Sequence, residues 1–283
     1  DKSARVMNLI GIVLSVGPAI GPTLGGLTLE FFGWHAIFMV MILQGIVVIT
    51  IMLLFVQETG NPDPSRIRPK TLIKSYFSLL KTPHFLLASL VLIGATGALY
   101  TSATIMPFIL MSRVGLSPSQ FGMGMLLQTA FYISGGIIYR LMMHRLSVFQ
   151  MSCIGLLCTC SASILLAVML RIYEPSYLRV MLPMGLYVMG IAFLTPQMTT
   201  AAMAPFPQIA GSASALMGFF QMGGGLVGGI LSASMGDPVI AMATLLPLMG
   251  LLSLISYIMW NRFKLPLSQT IEHPVTPKIS EQR

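Results

Sequence analysis

Charge is scarce in this sequence, and acidic side chains are the scarcest charged groups. Only 8% of the 283 residues are charged, whereas 55% are hydrophobic and the mean hydropathy is +0.85. Soluble domains carry about 25% charged residues, so the composition excludes an ordinary soluble protein. The eight Asp and Glu residues all lie in loops, at predicted helix ends or in the C-terminal tail. No long apolar segment therefore has a carboxylate near its centre.

The sequence also lacks the residue patterns of common enzymes, metal sites and nucleotide sites. The motifs HExxH, GxSxG and GxxxxGK[ST] are absent. The four histidines lie in predicted loops or the tail, with no pair at the i, i+4 spacing of a helical metal site. The three cysteines lie within one apolar segment, where packing is their expected role, and they are Cys153, Cys158 and Cys160. The sequence therefore predicts neither an enzyme nor a metal or cofactor site.

Long apolar segments dominate the chain instead. A helix needs about 20 apolar residues to cross the hydrocarbon core, and eight segments are long enough. They are too long for transmembrane β-strands of about 10 residues. The predicted spans are residues 6–29, 36–56, 84–111, 120–142, 149–170, 178–201, 209–234 and 239–261. The predicted fold class is an all-α membrane protein with eight transmembrane helices.

The net charge of +8 is distributed unevenly between the predicted loops. If the N-terminus is cytoplasmic, the outside loops hold only Arg113, Arg171 and Arg179 of the 16 basic residues. The positive-inside rule then places both ends of the chain in the cytoplasm. The basic surplus is explained by topology and anionic lipid headgroups, so nucleic acid is not an expected partner.

The longest connection, residues 57–83, separates the second and third spans. It carries apolar residues among lysines, which predicts either an interfacial amphipathic helix or a solvated linker. The apolar residues are Leu72, Ile73, Tyr76, Phe77 and Leu80. This segment divides the chain into two spans followed by six.

An internal repeat explains this division. A shift of 203 residues places Gly21, Gly25, Gly26 and Gly33 on Gly224, Gly228, Gly229 and Gly236. Spans one and two thus resemble spans seven and eight, and a parent of twelve helices in two bundles is expected. The predicted organisation is the last two helices of an N-terminal bundle (1–56), a cytoplasmic central loop (57–83), a C-terminal six-helix bundle (84–261) and a cytoplasmic tail (262–283). The chain is expected to start within a longer protein.

Three stretches carry a resemblance to a known family. "GPAIGPTLGG", residues 17–26, resembles the antiporter motif on the fifth helix of major facilitator superfamily drug/proton antiporters, and "FGWHAIF", residues 32–38, resembles the turn after it. "GLSPSQFG", residues 115–122, and "AMAPFPQIAGSASALMGFFQMGGG", residues 202–225, are similar to the Bcr/CflA drug-resistance branch. By this resemblance, the eight spans correspond to helices 5–12 of a twelve-helix fold. One departure is Asn8, where the family has a leading glycine.

The resemblance implies a proton-coupled multidrug efflux transporter of the bacterial inner membrane, working by alternating access between two bundles. It implies a monomer without a cofactor, driven by the proton gradient, with small apolar or cationic drug-like substrates, protons and membrane lipids as partners. It also implies that the coupling acid lies on the missing first helix, with Glu30 a second choice. Alternatives are a transporter of a metabolite such as an amino acid or sugar, and a non-transporting membrane enzyme or scaffold.

The antiporter motif predicts a gate element built from backbone. Glycines every four residues leave a stripe without side chains, so a neighbouring helix can approach closely. Each proline removes an amide donor and tends to kink the helix. We expect the stripe of Gly17, Gly21 and Gly25 to pack against the outer half of span four, near Gly122 and Gly124. The full predicted gate set is Gly17, Pro18, Gly21, Pro22, Gly25 and Gly26.

Neutral polar and aromatic residues inside the spans are the candidates for substrate contact. Such groups suit a pocket for apolar or weakly polar drugs, with amides fixing orientation. The alternative is that they form interhelical hydrogen bonds or face lipid. The predicted substrate-binding residues are Tyr100, Gln128, Tyr132, Phe193, Gln197, Phe220 and Gln221.

Overall fold

The computed structural model describes residues 21–55 and 69–263, which are almost entirely helical and contain no β-strand. Gly17 and Pro18 lie outside the described residues, as do most of the first predicted span, part of the central loop and nearly all of the tail. The helices are α1 (residues 21–32), α2 (Trp34–Phe55), α3 (Pro69–Leu80), α4 (Pro83–Arg113), α5 (Pro118–Met142), α6 (Val148–Ile172), α7 (Tyr177–Met203), α8 (Pro207–Ser234, opening with one 3-10 turn) and α9 (Pro238–Arg262).

Seven helices of this described part are long and apolar enough to cross a membrane, namely α2 and α4–α9. They coincide with seven of the eight predicted spans, which confirms an all-α, multi-pass membrane protein. The first predicted span is described only at its end, as α1, so the count of eight stays a prediction.

Local sequence signals explain where several helices begin. Ser117 and Ser147 each accept a hydrogen bond from the backbone N–H of the glutamine three residues on, while that glutamine caps the serine N–H in return. Asp237 accepts hydrogen bonds from the N–H groups of Val239 and Ile240 at the start of α9. These caps satisfy donors that have no partner inside the helix. The short loops between helices therefore end at fixed residues.

The glycine turns support the internal repeat. Gly33, between α1 and α2, has φ of +76°, and Gly236, between α8 and α9, has φ of +75°. Side chains disfavour this left-handed conformation, which explains glycine at both turns. Residues 203 positions apart thus share both a residue type and a backbone conformation.

The helices α4–α9 pack together, with α7 contacting α4, α5 and α6. Two polar links join α4 to its neighbours within the interior. The Tyr187 hydroxyl of α7 donates to the Gly94 carbonyl at 2.6 Å, and the Ser253 hydroxyl of α9 donates to the Val91 carbonyl at 3.1 Å. Near this point α4 contains a π-helical turn, Ile93–Gly97.

Helices α2 and α3 differ from this bundle. All 22 residues of α2 are exposed or half-buried. Helix α3 packs against the bundle through Leu79 and Tyr76 while Ile73 and Phe77 remain exposed. The central loop thus contains a helix, one of the two alternatives left open by the sequence, and its position at the membrane surface stays a prediction.

Candidate functional site

Helices α1 and α5 meet in a contact between their backbones. A Cβ atom on Gly26 would lie 2.3 Å from the Pro118 carbonyl oxygen, and one on Gly122 would lie 2.4 Å from the Pro22 carbonyl oxygen. No real Cβ contact is that short, so this approach requires glycine at both positions. We call the contact the glycine seam; its residues are Pro22, Thr23, Gly26 and Glu30 of α1 with Pro118, Ser119 and Gly122 of α5.

Helix α1 contacts the expected partner helix, but through Pro22 and Gly26 of the predicted gate set and not through the stripe of Gly21 and Gly25; the gating role stays a prediction. Among the described residues, Gly21 and Gly25 have no atom within 4 Å of the position where a Cβ would stand, whereas Gly26 touches α5. The contact row is therefore Pro22 and Gly26, rotated by one residue, about 100° around the helix. Spacing alone could not choose between these adjacent rows.

Gly124, the second expected contact, packs within the bundle instead. A Cβ there would lie 2.7 Å from the ring of Tyr177 on α7, and the Tyr177 hydroxyl donates to the Gly124 carbonyl at 2.9 Å. Two residues after Gly122, Gly124 points about 200° around α5, away from α1.

Hydrogen bonds cross the glycine seam as well. The Thr23 hydroxyl donates to the Gly122 carbonyl at 3.2 Å, and the backbone N–H of Ser119 donates to the Glu30 carboxylate at 2.8 Å. Hydrogen bonds from the Ser119 side chain and backbone, and from the Ser117 side chain, hold the pKa of the exposed Glu30 carboxyl below its usual value. The sequence places Glu30 at a helix end but does not indicate its partner, because Ser119 is 89 residues away along the chain.

Among the predicted substrate-binding residues, Gln128 has the most unusual environment. Its side chain is 4% exposed, and neither its amide nitrogen nor its amide oxygen has a hydrogen-bond partner among the described residues. Tyr132, one turn further along α5, is half-buried against the core. A buried amide without a partner is costly, so Gln128 has bonding capacity available to a ligand.

Phe193 and the side-chain oxygen of Gln197, on α7, have partners within the bundle, whereas the Gln197 amide nitrogen has none among the described residues. The Gln197 side-chain oxygen accepts a hydrogen bond from the buried hydroxyl of Ser152 on α6. Phe193 is buried and makes an edge-to-face contact with Tyr139 at a centroid distance of 5.9 Å. Both environments match the alternative interpretation of interhelical contacts, although the predicted substrate role of these residues stays untested.

We expect Ser152→Ala to destabilise the protein, because it removes the partner of the Gln197 oxygen. An unsatisfied buried polar group costs about 1–3 kcal/mol in soluble proteins, and interhelical hydrogen bonds in membranes average about 0.6 kcal/mol. The unfolding midpoint of the purified protein should fall by a few degrees. Ser161→Ala is the matched control, since that exposed hydroxyl donates to the Cys158 carbonyl of its own helix. Equal shifts in both variants would contradict the assignment.

The remaining three predicted residues lie at the contact between α4 and α8. Tyr100 is 39% exposed, and a Cβ on Gly225 would lie 2.4 Å from its Cβ. Phe220 and Gln221 are half-buried on α8, and Phe220 packs against the core. The seven predicted residues are thus distributed over four helices, α4, α5, α7 and α8.

The chain resembles curated bacterial proteins at low identity. It is 28% identical over 240 residues to "Uncharacterized MFS-type transporter YdgK" of Bacillus subtilis, and the aligned residues cover 82% of this chain and 58% of that protein. It is 26% identical over 246 residues to "Bicyclomycin resistance protein homolog" of Haemophilus influenzae, covering 83% of this chain and 59% of that protein. It is 26% identical over 276 residues to "Multidrug resistance protein D" of Escherichia coli, covering 95% of this chain and 66% of that protein.

The chain therefore spans 58–66% of the length of these relatives. Their names support the resemblance to drug-resistance transporters, and together with the family they confirm the prediction that the chain is not an enzyme. The family model described as Major Facilitator Superfamily matches residues 1–229, most of the sequence. The chain belongs to the Major Facilitator Superfamily.

Proposed function

We propose that the full-length protein is a proton-coupled multidrug antiporter of the bacterial inner membrane that works by alternating access between two bundles. The family and the relatives named for multidrug and bicyclomycin resistance support this proposal. The motifs similar to the Bcr/CflA branch agree with it. The monomeric state and the absence of a cofactor belong to the same proposal.

The proposed orientation has both ends of the chain in the cytoplasm. The uneven distribution of lysine and arginine supports it, because cytoplasmic loops are rich in basic residues. In this orientation α3 lies on the cytoplasmic side. The ion pair between Arg113 and Asp237, at 3.0 Å, lies on the outer side with the glycine seam.

The glycine seam is the observation that carries the proposal. Residues of the antiporter motif form one side of it, and α5 of the six-helix bundle forms the other. Its contact combines bare backbone with hydrogen bonds from Thr23 to Gly122 and from Ser119 and Ser117 to Glu30. Such a surface can close tightly and part again, because water can replace these hydrogen bonds. The seam therefore suits an outer gate between rocking bundles.

An efflux assay tests this function. We expect the full-length gene, expressed in bacteria without their own drug pumps, to raise tolerance to several unrelated apolar cations and to lower accumulation of a fluorescent one. An ionophore that collapses the proton gradient should abolish the effect. Unchanged drug tolerance with gradient-driven uptake of an amino acid or sugar would contradict drug export and support the metabolite alternative.

Gln128→Leu should separate substrate contact from structural support. The Gln128 amide makes no hydrogen bond with the described residues, so its removal should leave the unfolding midpoint unchanged or raised. Export of substrates that bond this amide should fall about tenfold, equivalent to about 1.4 kcal/mol.

Gln197→Leu provides the comparison, since it removes a residue that is bonded to Ser152. That variant should lose stability. Full export by Gln128→Leu for every tested substrate would contradict the proposed contact.

A further inference from the structure

Glu30 is the carboxylate of the glycine seam, and the proposed transport cycle does not yet assign it a role. Its Oε2 atom accepts a hydrogen bond from the backbone N–H of Ser119 at 2.8 Å. Ser119 is the second residue of α5, so the bond joins the end of α1 to the beginning of α5. The carboxylate thus meets the positive end of the α5 dipole.

The capping of α5 shows why this bond matters. The first N–H groups of a helix have no partner within it. Pro118 has no N–H, the Gln120 N–H donates to the Ser117 hydroxyl at 3.3 Å, and the Phe121 N–H donates to the Ser117 carbonyl at 2.8 Å. These local groups do not accept a hydrogen bond from the Ser119 N–H. Glu30 accepts it from another helix and completes the cap.

We propose that Glu30 is a positioning residue of the transport cycle: it caps α5 only while the glycine seam is closed, and it thereby biases the protein toward the outward-closed state. This inference rests on the proposed function. When α1 and α5 part, the Ser119 N–H and the Glu30 carboxylate must both turn to water. The close contact of Gly26 and Gly122 brings Glu30 within reach of the cap.

The charge of Glu30 separates this role from proton coupling. Hydrogen bonds from Ser119 and Ser117 lower the pKa of the Glu30 carboxyl, so the closed seam favours the ionised form. The bond therefore persists above the ordinary pKa of glutamate and weakens only as the pH falls through the lowered pKa. The closed seam therefore keeps Glu30 ionised at neutral pH, and the proposal assigns proton coupling to another residue.

Neighbouring titratable groups do not alter this conclusion. The first turn of α5 carries no titratable side chain. The first titratable side chain of α2, His35, stacks on Trp34 with ring centroids 3.5 Å apart. Arg113, the last residue of α4, pairs with Asp237.

A distance measurement across the seam tests the proposal in the full-length protein. Spin labels at Phe32 of α1 and Leu178 of α7, with the native cysteines replaced by alanine, report the outer separation in lipid nanodiscs without drug or gradient. We expect Glu30→Gln to raise the outward-open to outward-closed ratio about two- to fivefold, as for an exposed charged contact. Glu30→Asp should shift it similarly, because the shorter side chain withdraws the carboxylate.

Glu174→Gln is the matched control, since it removes an exposed carboxylate in the loop before α7, and it should leave the distances unchanged. Unchanged distances in Glu30→Gln would overturn the proposal. So would a shift of the transport pH profile above pH 5 in that variant, because it would make Glu30 a coupling group. The distances are read without transport, so the cap can be supported or refuted even if the protein exports no drug.

Discussion

Replacing Gly122 with alanine is expected to reduce drug export about tenfold or more. The new Cβ would stand 2.4 Å from the Pro22 carbonyl oxygen and 3.2 Å from the Thr23 Cα. Both are backbone atoms, so no change of rotamer can relieve the clash, and α1 must move away from α5. The hydrogen bonds from Thr23 and to Glu30 depend on the same approach and weaken with it.

The size of this effect follows from the cost of overpacking. An inserted methyl group in a tight contact costs about 1–3 kcal/mol. If that cost falls on the closed seam alone, the equilibrium between closed and open states shifts about 5- to 150-fold. The change should appear as reduced efflux with normal expression and as a longer distance between the outer ends of α1 and α7.

Gly136→Ala is the control for this variant. It makes the same change in the same helix, and no atom of the described residues lies within 4 Å of the position of its Cβ. We expect near-normal export from it. Equal export by Gly122→Ala and Gly136→Ala would show that the glycine seam is not a gate.

Replacing Gly94 with alanine is expected to have the largest effect on stability. Its Cβ would lie 2.5 Å from the Met249 carbonyl oxygen and 2.7 Å from the Ser253 nitrogen, both backbone atoms of α9. The Gly94 carbonyl also accepts the Tyr187 hydroxyl, so a shift of α4 disturbs α7 as well. We expect a loss of about 1–3 kcal/mol, seen as an unfolding midpoint lower by several degrees or as poor yield.

Gly218→Ala on α8 is the matched control for stability. In the part of the chain that the structure describes, no atom lies within 4 Å of the position of its Cβ. Alanine exceeds glycine in helix propensity by about 1 kcal/mol, so this variant should unfold at the same or a higher temperature. A Gly94→Ala protein as stable as Gly218→Ala would contradict the close packing of α4 on α9.

The helices could be predicted because their signals are local. Runs of apolar residues identify membrane spans without knowledge of their neighbours, and the shared turn of Gly33 and Gly236 could be read from spacing alone. The partner of the antiporter motif could also be predicted, since glycine in both segments indicates close approach. To predict which row of residues makes the contact, the orientation of both helices about their axes must also be known.

Hydrogen bonds between residues that are far apart in the sequence could not be predicted. Nothing beside Gln197 in the sequence indicates Ser152, and nothing beside Glu30 indicates Ser119. The π-helical turn Ile93–Gly97 is a further cause of error. Its extra residue rotates the following part of α4 by about 100° relative to a continuous α-helix. A helix face predicted from continuous α-helical periodicity would be displaced by that angle for the residues of α4 beyond the turn.

Helix α2 is almost uniformly apolar, and this affects its position in the bilayer. Its 22 residues span about 33 Å, close to the hydrocarbon thickness of about 30 Å. The match between these lengths fixes the depth of α2 in the bilayer. Because Gly33 alone separates α1 from α2, a change in the depth of α2 in the bilayer also moves Glu30, which lies near the end of α1. We therefore expect bilayer thickness to act on the glycine seam through hydrophobic mismatch.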